Sequence, residues 1–147
     1  MDGNSITLEG NMTRDLVVRT LPSGTIVGSG SIARSGKTRE GKEWGPEFYD
    51  FDVWGEQALN VEASTGKGTR IVLSGSLRHQ TWDAKDSDGN VIKDANGKPV
   101  KRSKHVVRAD SVNVNLRWAQ AQIEKVARPA ADSAPDEDER LLAEEEF

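Results

Sequence analysis

Cysteine is absent from this chain. Disulfide staples and thiolate metal sites are therefore excluded. No apolar run approaches the roughly 18 residues needed to cross a bilayer. The first residues, Met1-Asp2-Gly3-Asn4, lack the basic and apolar regions of a signal peptide. A cytoplasmic protein is expected. Histidine is scarce: His79 and His105 stand alone, far apart in sequence, and no metal cluster can be read from them. Serine is abundant, but none sits in a recognisable nucleophile elbow. No catalytic residue, metal or cofactor is expected. At 147 residues the chain fits one domain with a tail and is long enough to bury a core.

Aromatic residues are also few, and they are concentrated. Of eight in all, four fall within Glu47-Phe48-Tyr49-Asp50-Phe51-Asp52-Val53-Trp54-Gly55. Side chains of a strand alternate between faces. Tyr49, Phe51 and Val53 thus share one face, and Phe48, Asp50, Asp52 and Trp54 the other. The first reads as core. The second would hold two large rings in contact with water, which is what stacking on unpaired bases requires. A strand buried on both faces of a sandwich is the alternative. Asp50 and Asp52 count against it, because carboxylates are rarely buried unpaired.

Charge is unevenly spread. Residues 1–128 carry 19 Lys and Arg against 16 Asp and Glu, a net of +3. Residues 129–147 carry Arg140 against eight acids, a net of −7. A mildly basic body with an acidic tail suits a nucleic-acid domain with an interaction tail. A disordered terminus that only aids solubility would look the same.

Along the chain, Ile6 to Gly10 alternates as a strand, bends at Gly10-Asn11 and resumes at Leu16 to Arg19. Thr25 to Arg34 is a second strand, with Gly28 and Gly30 marking a bend. Ser35 to Gly45 is a charged, Gly-rich loop, and the aromatic stretch is the third strand. Gly55 to Thr65 follows as a short amphipathic helix, with Ala58, Leu59, Glu62 and Ala63 at helical spacing and Gly66 as its stop. Arg70 to Trp82 and His105 to Val114 are two more strands. In the last, Val106, Arg108, Asp110, Val112 and Val114 form one register. Between them, Asp83 to Arg102 is a polar insertion with turns at Asp88-Gly89 and Asn96-Gly97, the second able to cap a protruding hairpin. Leu116 to Val126 reads equally as strand or helix. No internal repeat is apparent. Three strands, a helix and two strands is the order of the OB-fold, an all-β five-stranded Greek-key barrel.

Two motif-like stretches fail on spacing. Ser35-Gly36-Lys37-Thr38 looks like the end of a phosphate-binding loop, but Ser31 stands where the first glycine is needed, and no helical periodicity follows. Asp86-Ser87-Asp88-Gly89-Asn90 hints at a calcium loop. Aligning Gly89 with the turn glycine puts Ala84 and Ala95 at two essential ligand positions.

Several segments resemble the bacterial single-stranded DNA-binding protein family, in particular its actinobacterial and phage branch. They are Leu8-Glu9-Gly10-Asn11-Met12 with Asp15 and Arg19, then Pro22-Ser23-Gly24, and Phe48 through Trp54. Lys67-Gly68-Thr69-Arg70 leading through Gly75 to Arg78 and Trp82 is the most specific. Leu116-Arg117-Trp118-Ala119 and the terminal Glu144-Glu145-Glu146-Phe147 complete the match. The resemblance implies a binding domain over 1–118, a linker and acidic tail over 119–147, and a homotetramer. It implies that Phe48, Trp54 and Trp82 stack bases, that Arg78 is a basic strand position, and that Trp44 lies in the corresponding loop. It also implies that Phe147, with Glu144, Glu145 and Glu146, docks on replication and repair proteins in the nucleoid. Arg34, Lys37, Arg39, Lys42, Lys101, Arg102 and Lys104 join Arg78 as candidate phosphate contacts. Trp118 is expected in the core or against another subunit. Asp50 and Asp52 depart from the family pattern, because they occupy the aromatic face where basic residues would help hold phosphates. They favour the other reading, an accessory protein-interaction module with weak DNA affinity.

Overall fold

Residues 3–127 are described by a computed structural model. Six strands and one helix follow in order: β1 (Ile6–Met12), β2 (Val17–Thr20), β3 (Ile26–Lys37), β4 (Glu43–Trp54), α1 (Glu56–Ser64), β5 (Arg70–Asp83) and β6 (Lys101–Val114). The strands lie in the order β1-β5-β6-β4-β3-β2, and a further β1–β3 pairing closes five of them into a barrel. All pairings are antiparallel except β4 with β6. Closure removes the free edges that an open sheet would expose. This is the OB-fold, with its helix where the sequence puts it. The single bent first strand of the sequence reading is two strands here. β1 closes onto β3 through Asn11↔Ala33 and Met12↔Ile32, and β2 then runs along the other half of β3.

The core gathers Met12, Leu16, Ile32, Phe51, Val53, Ala58, Val61, Ile71, Leu73, Val107 and Ala109. Alternation on β4 explains its share: Phe51 and Val53 are buried, whereas Phe48 and Trp54 stand on the outside. The inward ring of Phe51 needs space on β3, and Gly30 provides it. A Cβ there would lie 2.5 Å from Phe51 Cζ.

On α1 the buried positions are Ala58 and Val61; Leu59 and Ala63 are exposed, contrary to the expected stripe. Burying Val61 contributes about 2 kcal/mol. Gly66 is not the stop. Thr65 ends the helix in an extended conformation, donating both its N–H (3.0 Å) and its hydroxyl (2.7 Å) to Val61 O.

The register of β6 also differs from simple alternation. Ser74 pairs with Ser111 but Gly75 pairs with Ala109, so Asp110 is an extra, bulged residue. Val107 and Ala109 face inward before the bulge and Val112 packs on the core after it. The bulge has two physical causes. Gly75 lets β6 come close, since a Cβ there would sit 1.9 Å from Arg108 O. The Gln57 amide from α1 satisfies the freed backbone, donating to Asp110 O (3.0 Å) and accepting from Val112 N–H (2.9 Å).

Beyond the barrel, residues 79–83 of β5 and 101–105 of β6 pair only with each other and form a two-stranded ribbon. The insertion that joins them contains a repeat that the sequence reading missed. Lys85-Asp86-Ser87-Asp88-Gly89 and Lys93-Asp94-Ala95-Asn96-Gly97 are matching turns eight residues apart. In each, the Asp side chain accepts backbone N–H bonds from two and four residues on, at 2.9–3.0 Å. Each turn has its own antiparallel bridge: Lys93↔Pro99 closes the hairpin expected around the second turn, and Lys85↔Val91 adds one around the first. Ala84, Ile92 and Val100 tie the two together in a ring of backbone hydrogen bonds of 2.8–2.9 Å. The expected loop at Ser35–Gly45 is shorter than its composition suggests. β3 and β4 run through most of it, pairing Gly36 with Trp44 and Lys37 with Glu43. Leu116 to Val126 is neither strand nor helix.

Candidate nucleic-acid interface

The outward residues of four adjacent strands form one continuous face. Phe48, Asp50, Asp52 and Trp54 come from β4, and Arg102, Lys104, Val106 and Arg108 from β6 at matching parity. Arg78, Gln80 and Trp82 come from β5, opposite Val106, Lys104 and Arg102 respectively. Ser29 and Ser31 come from β3, opposite Asp52 and Asp50. The face thus carries Phe48 (64% exposed), Trp54 (39%) and Trp82 (45%), with cations between them. A groove of about 200 Å³ runs over it, lined among others by Arg14, Arg19, Ser29, Asp50, Trp54 and Lys104.

The two acids on this face are not free. Asp50 lies 3.9 Å from Lys104, and Asp52 lies 3.6 Å from Arg108, its registered neighbour on β6. Asp52 also accepts the Trp54 indole N–H at 3.1 Å. The Arg108 guanidinium stands over the Trp54 ring, 4.8 Å from its centroid. Two carboxylates that would repel a phosphate chain are matched by two cations.

Not every candidate reaches this face. Arg34 and Trp44 open onto a second groove of about 490 Å³, lined also by Thr7, Glu9, Asn11 and Arg70. There Trp44 is half-buried and lies flat on Gly36, where a Cβ would meet the ring at 2.5 Å. Arg34 covers the Trp44 ring at 4.9 Å and pairs with Glu47 at 3.4 Å. Lys37 is 4.0 Å from Glu43, and Arg39 and Lys42 are exposed at the β3–β4 tip. Lys101 is ion-paired with Asp83. Glu144, Glu145, Glu146 and Phe147 lie outside the described residues.

Trp118 is not in the core: it is 70% exposed, with Arg117 at 4.5 Å and Arg70 at 5.4 Å from its ring. Arg70 also donates to Glu9 at 2.8 Å. That hydrogen bond is the main reason the Glu9 carboxyl is held below its ordinary range. The Arg70 charge, the Asn115 amide and the Arg117 charge add to the effect, and desolvation opposes it.

Arg108, Arg14 and Arg19 are the residues that sequence reasoning left out. For Arg108 a signal existed: Arg102, Lys104 and Arg108 share the period of two that β6 imposes. Arg14 and Arg19 reach the groove only because β2 folds back along β3, with Arg14 donating to Ser29 O at 3.0 Å.

A closed five-stranded barrel with one short helix between β4 and β5 defines an OB-fold protein. Residues 3–115 match the model of the single-strand binding protein family. A single-stranded DNA-binding protein of Paenarthrobacter nicotinovorans is 31% identical over 129 residues, covering 84% of this chain and 69% of the relative. That of Paenarthrobacter aurescens is 32% identical, with 84% and 68% covered. That of Mycobacterium tuberculosis (strain ATCC 25618 / H37Rv) is 29% identical, with 84% and 71% covered. The chain belongs to the single-strand binding protein family, and the relatives are those of the expected actinobacterial branch. Members of this family are binding proteins.

Proposed function

We propose that this chain binds single-stranded DNA without regard to sequence and serves DNA replication, recombination and repair. One observation carries the reading: three large apolar rings stay exposed on a single face, interleaved with Arg78, Arg102 and Lys104. Water is a poor neighbour for such rings, and an unpaired base is a good one. Each stack contributes about 1–3 kcal/mol whatever the base. Phe48, Trp54 and Trp82 act as the stacking platforms. Arg78, Arg102, Lys104, Arg14 and Arg19 track the phosphates, with Lys37, Arg39 and Lys42 reaching from the β3–β4 tip.

Asp50 and Asp52, taken alone, favour an accessory module with weak DNA affinity. Their pairing with Lys104 and Arg108 removes that support. The chain is read as a binder and not an enzyme, working in the cytoplasm on the nucleoid as a homotetramer. Its tail residues Glu144, Glu145, Glu146 and Phe147 recruit replication and repair proteins. Titrating the full chain with oligo-dT and with duplex at two salt concentrations tests the function. Quenching of tryptophan fluorescence by dT alone, weakening steeply with salt, is expected. Equal affinity for duplex would refute it. Removing residues 136–147 should abolish partner capture and tighten dT binding at low salt.

A further inference from the structure

Asp52 is the one charged or polar residue buried among the described residues, at 7% exposure. A buried carboxylate on a face meant for a polyanion demands a reason. Its surroundings form a closed unit. The carboxylate accepts the Trp54 indole N–H at 3.1 Å, and Arg108 Nε lies 3.6 Å from the same oxygen. The guanidinium lies over the Trp54 ring, 4.8 Å from its centroid. Arg108 Nε is itself buried and has no hydrogen-bond partner, so the carboxylate's charge is what balances it there. The strand register builds this unit. Asp52 and Arg108 are paired across β4 and β6, and Trp54 is two residues on from Asp52, on the same side.

We propose that Asp52 is a positioning residue for single-strand binding. It fixes the tilt of the Trp54 indole through the N–H and holds Arg108 against one face of the ring. Trp54 therefore offers a single open face and stacks one base. Arg108 is a support for the ring and not a phosphate contact. This deepens the reading of the face as a single-strand binder, and it explains why an acid is placed in the middle of that face.

The indole N–H resonance of Trp54, assigned by its loss in Trp54→Phe, reads the unit without DNA. Asp52→Ala should shift that resonance and speed its hydrogen exchange, and should weaken oligo-dT binding about tenfold. Asp52→Asn keeps an acceptor oxygen for the indole N–H but loses the charge that holds Arg108, so the resonance should stay protected while the affinity falls less than in Asp52→Ala. A second variant is independent of how Asp52→Ala folds. Arg108→Gln should leave the salt slope of dT binding unchanged, whereas Lys104→Gln should lower it by about 0.7. An unmoved indole resonance in Asp52→Ala overturns the proposal. So does an equal loss of slope in Arg108→Gln and Lys104→Gln. A parent protein that fails to bind dT would refute the functional reading, while the indole measurement would still decide whether the unit exists.

Discussion

Two surfaces of this barrel contain the same three ingredients: an indole, a guanidinium and a carboxylate. On the outer β4–β6–β5 face they are Trp54, Arg108 and Asp52, and in the groove at the β1–β3 seam they are Trp44, Arg34 and Glu47. What differs is what surrounds them. The outer face adds Phe48 and Trp82, both well exposed, and cations such as Arg78 and Arg102. The seam groove adds Glu9, already occupied by Arg70, and its Trp44 is pressed onto Gly36. Composition alone does not make a binding surface. Rings must stay open and at least some cations must remain available to phosphate.

The sharpest way to break this comparison is to remove the rings from each side in turn. Trp54→Ala with Trp82→Ala should weaken dT binding, followed by anisotropy of a labelled oligonucleotide, by about 2–6 kcal/mol, two stacks' worth. Trp44→Ala with Trp118→Ala should lose less than about 1 kcal/mol. Both double variants should melt cooperatively. Equal losses from the two sides would erase the distinction.

The next effect is structural and lies in the β5–β6 pair that carries the outer face. Gly75→Ala drives a Cβ into Arg108 O, so denaturant unfolding should show a loss of about 3 kcal/mol. Wild-type stability in that variant would mean the bulge is not set by close approach. Gln57→Ala leaves Asp110 O and Val112 N–H without their partner and should cost about 1–2 kcal/mol, weakening dT binding only through the displaced β6. Replacing an exposed residue of the seam groove, as in Thr7→Ala, should cost less than about 0.5 kcal/mol.

The smallest expected effect belongs to the seam. Glu9 titrates below the ordinary glutamate value of about 4.3 in the folded protein. Its ion pair therefore contributes stability that is complete above that ordinary value and is lost as pH falls through the depressed one. Glu9→Gln should flatten the acid limb of the stability profile and leave dT affinity at neutral pH unchanged. An unaltered acid limb would show that the Arg70 contact does not hold in solution.

Much of this was legible because period-two alternation needs no partner to be read. The inward Phe51 and Val53, the outward Phe48 and Trp54, and a helix between Gly55 and Thr65 all came from local pattern. The bulge at Asp110 did not, because its causes lie 35 and 53 residues away, at Gly75 and Gln57. Simple alternation puts Arg108 in register with Val112, and the parity change at Asp110 breaks that register. Asp50 and Asp52 looked like a flaw in the binding face for the same reason. Their partners sit on a strand more than fifty residues later. The repeated turns at Asp86 and Asp94 were missed through their brevity, since two copies of an eight-residue unit fall well below the roughly 20–50-residue periods of most repeat folds.

The most direct test is photocrosslinking of oligo-dT to the full chain, with the adducts mapped to single residues. Adducts on Phe48, Trp54 and Trp82 are predicted. Adducts confined to Trp44 and Trp118 would contradict the account and move the binding surface to the other side of the barrel.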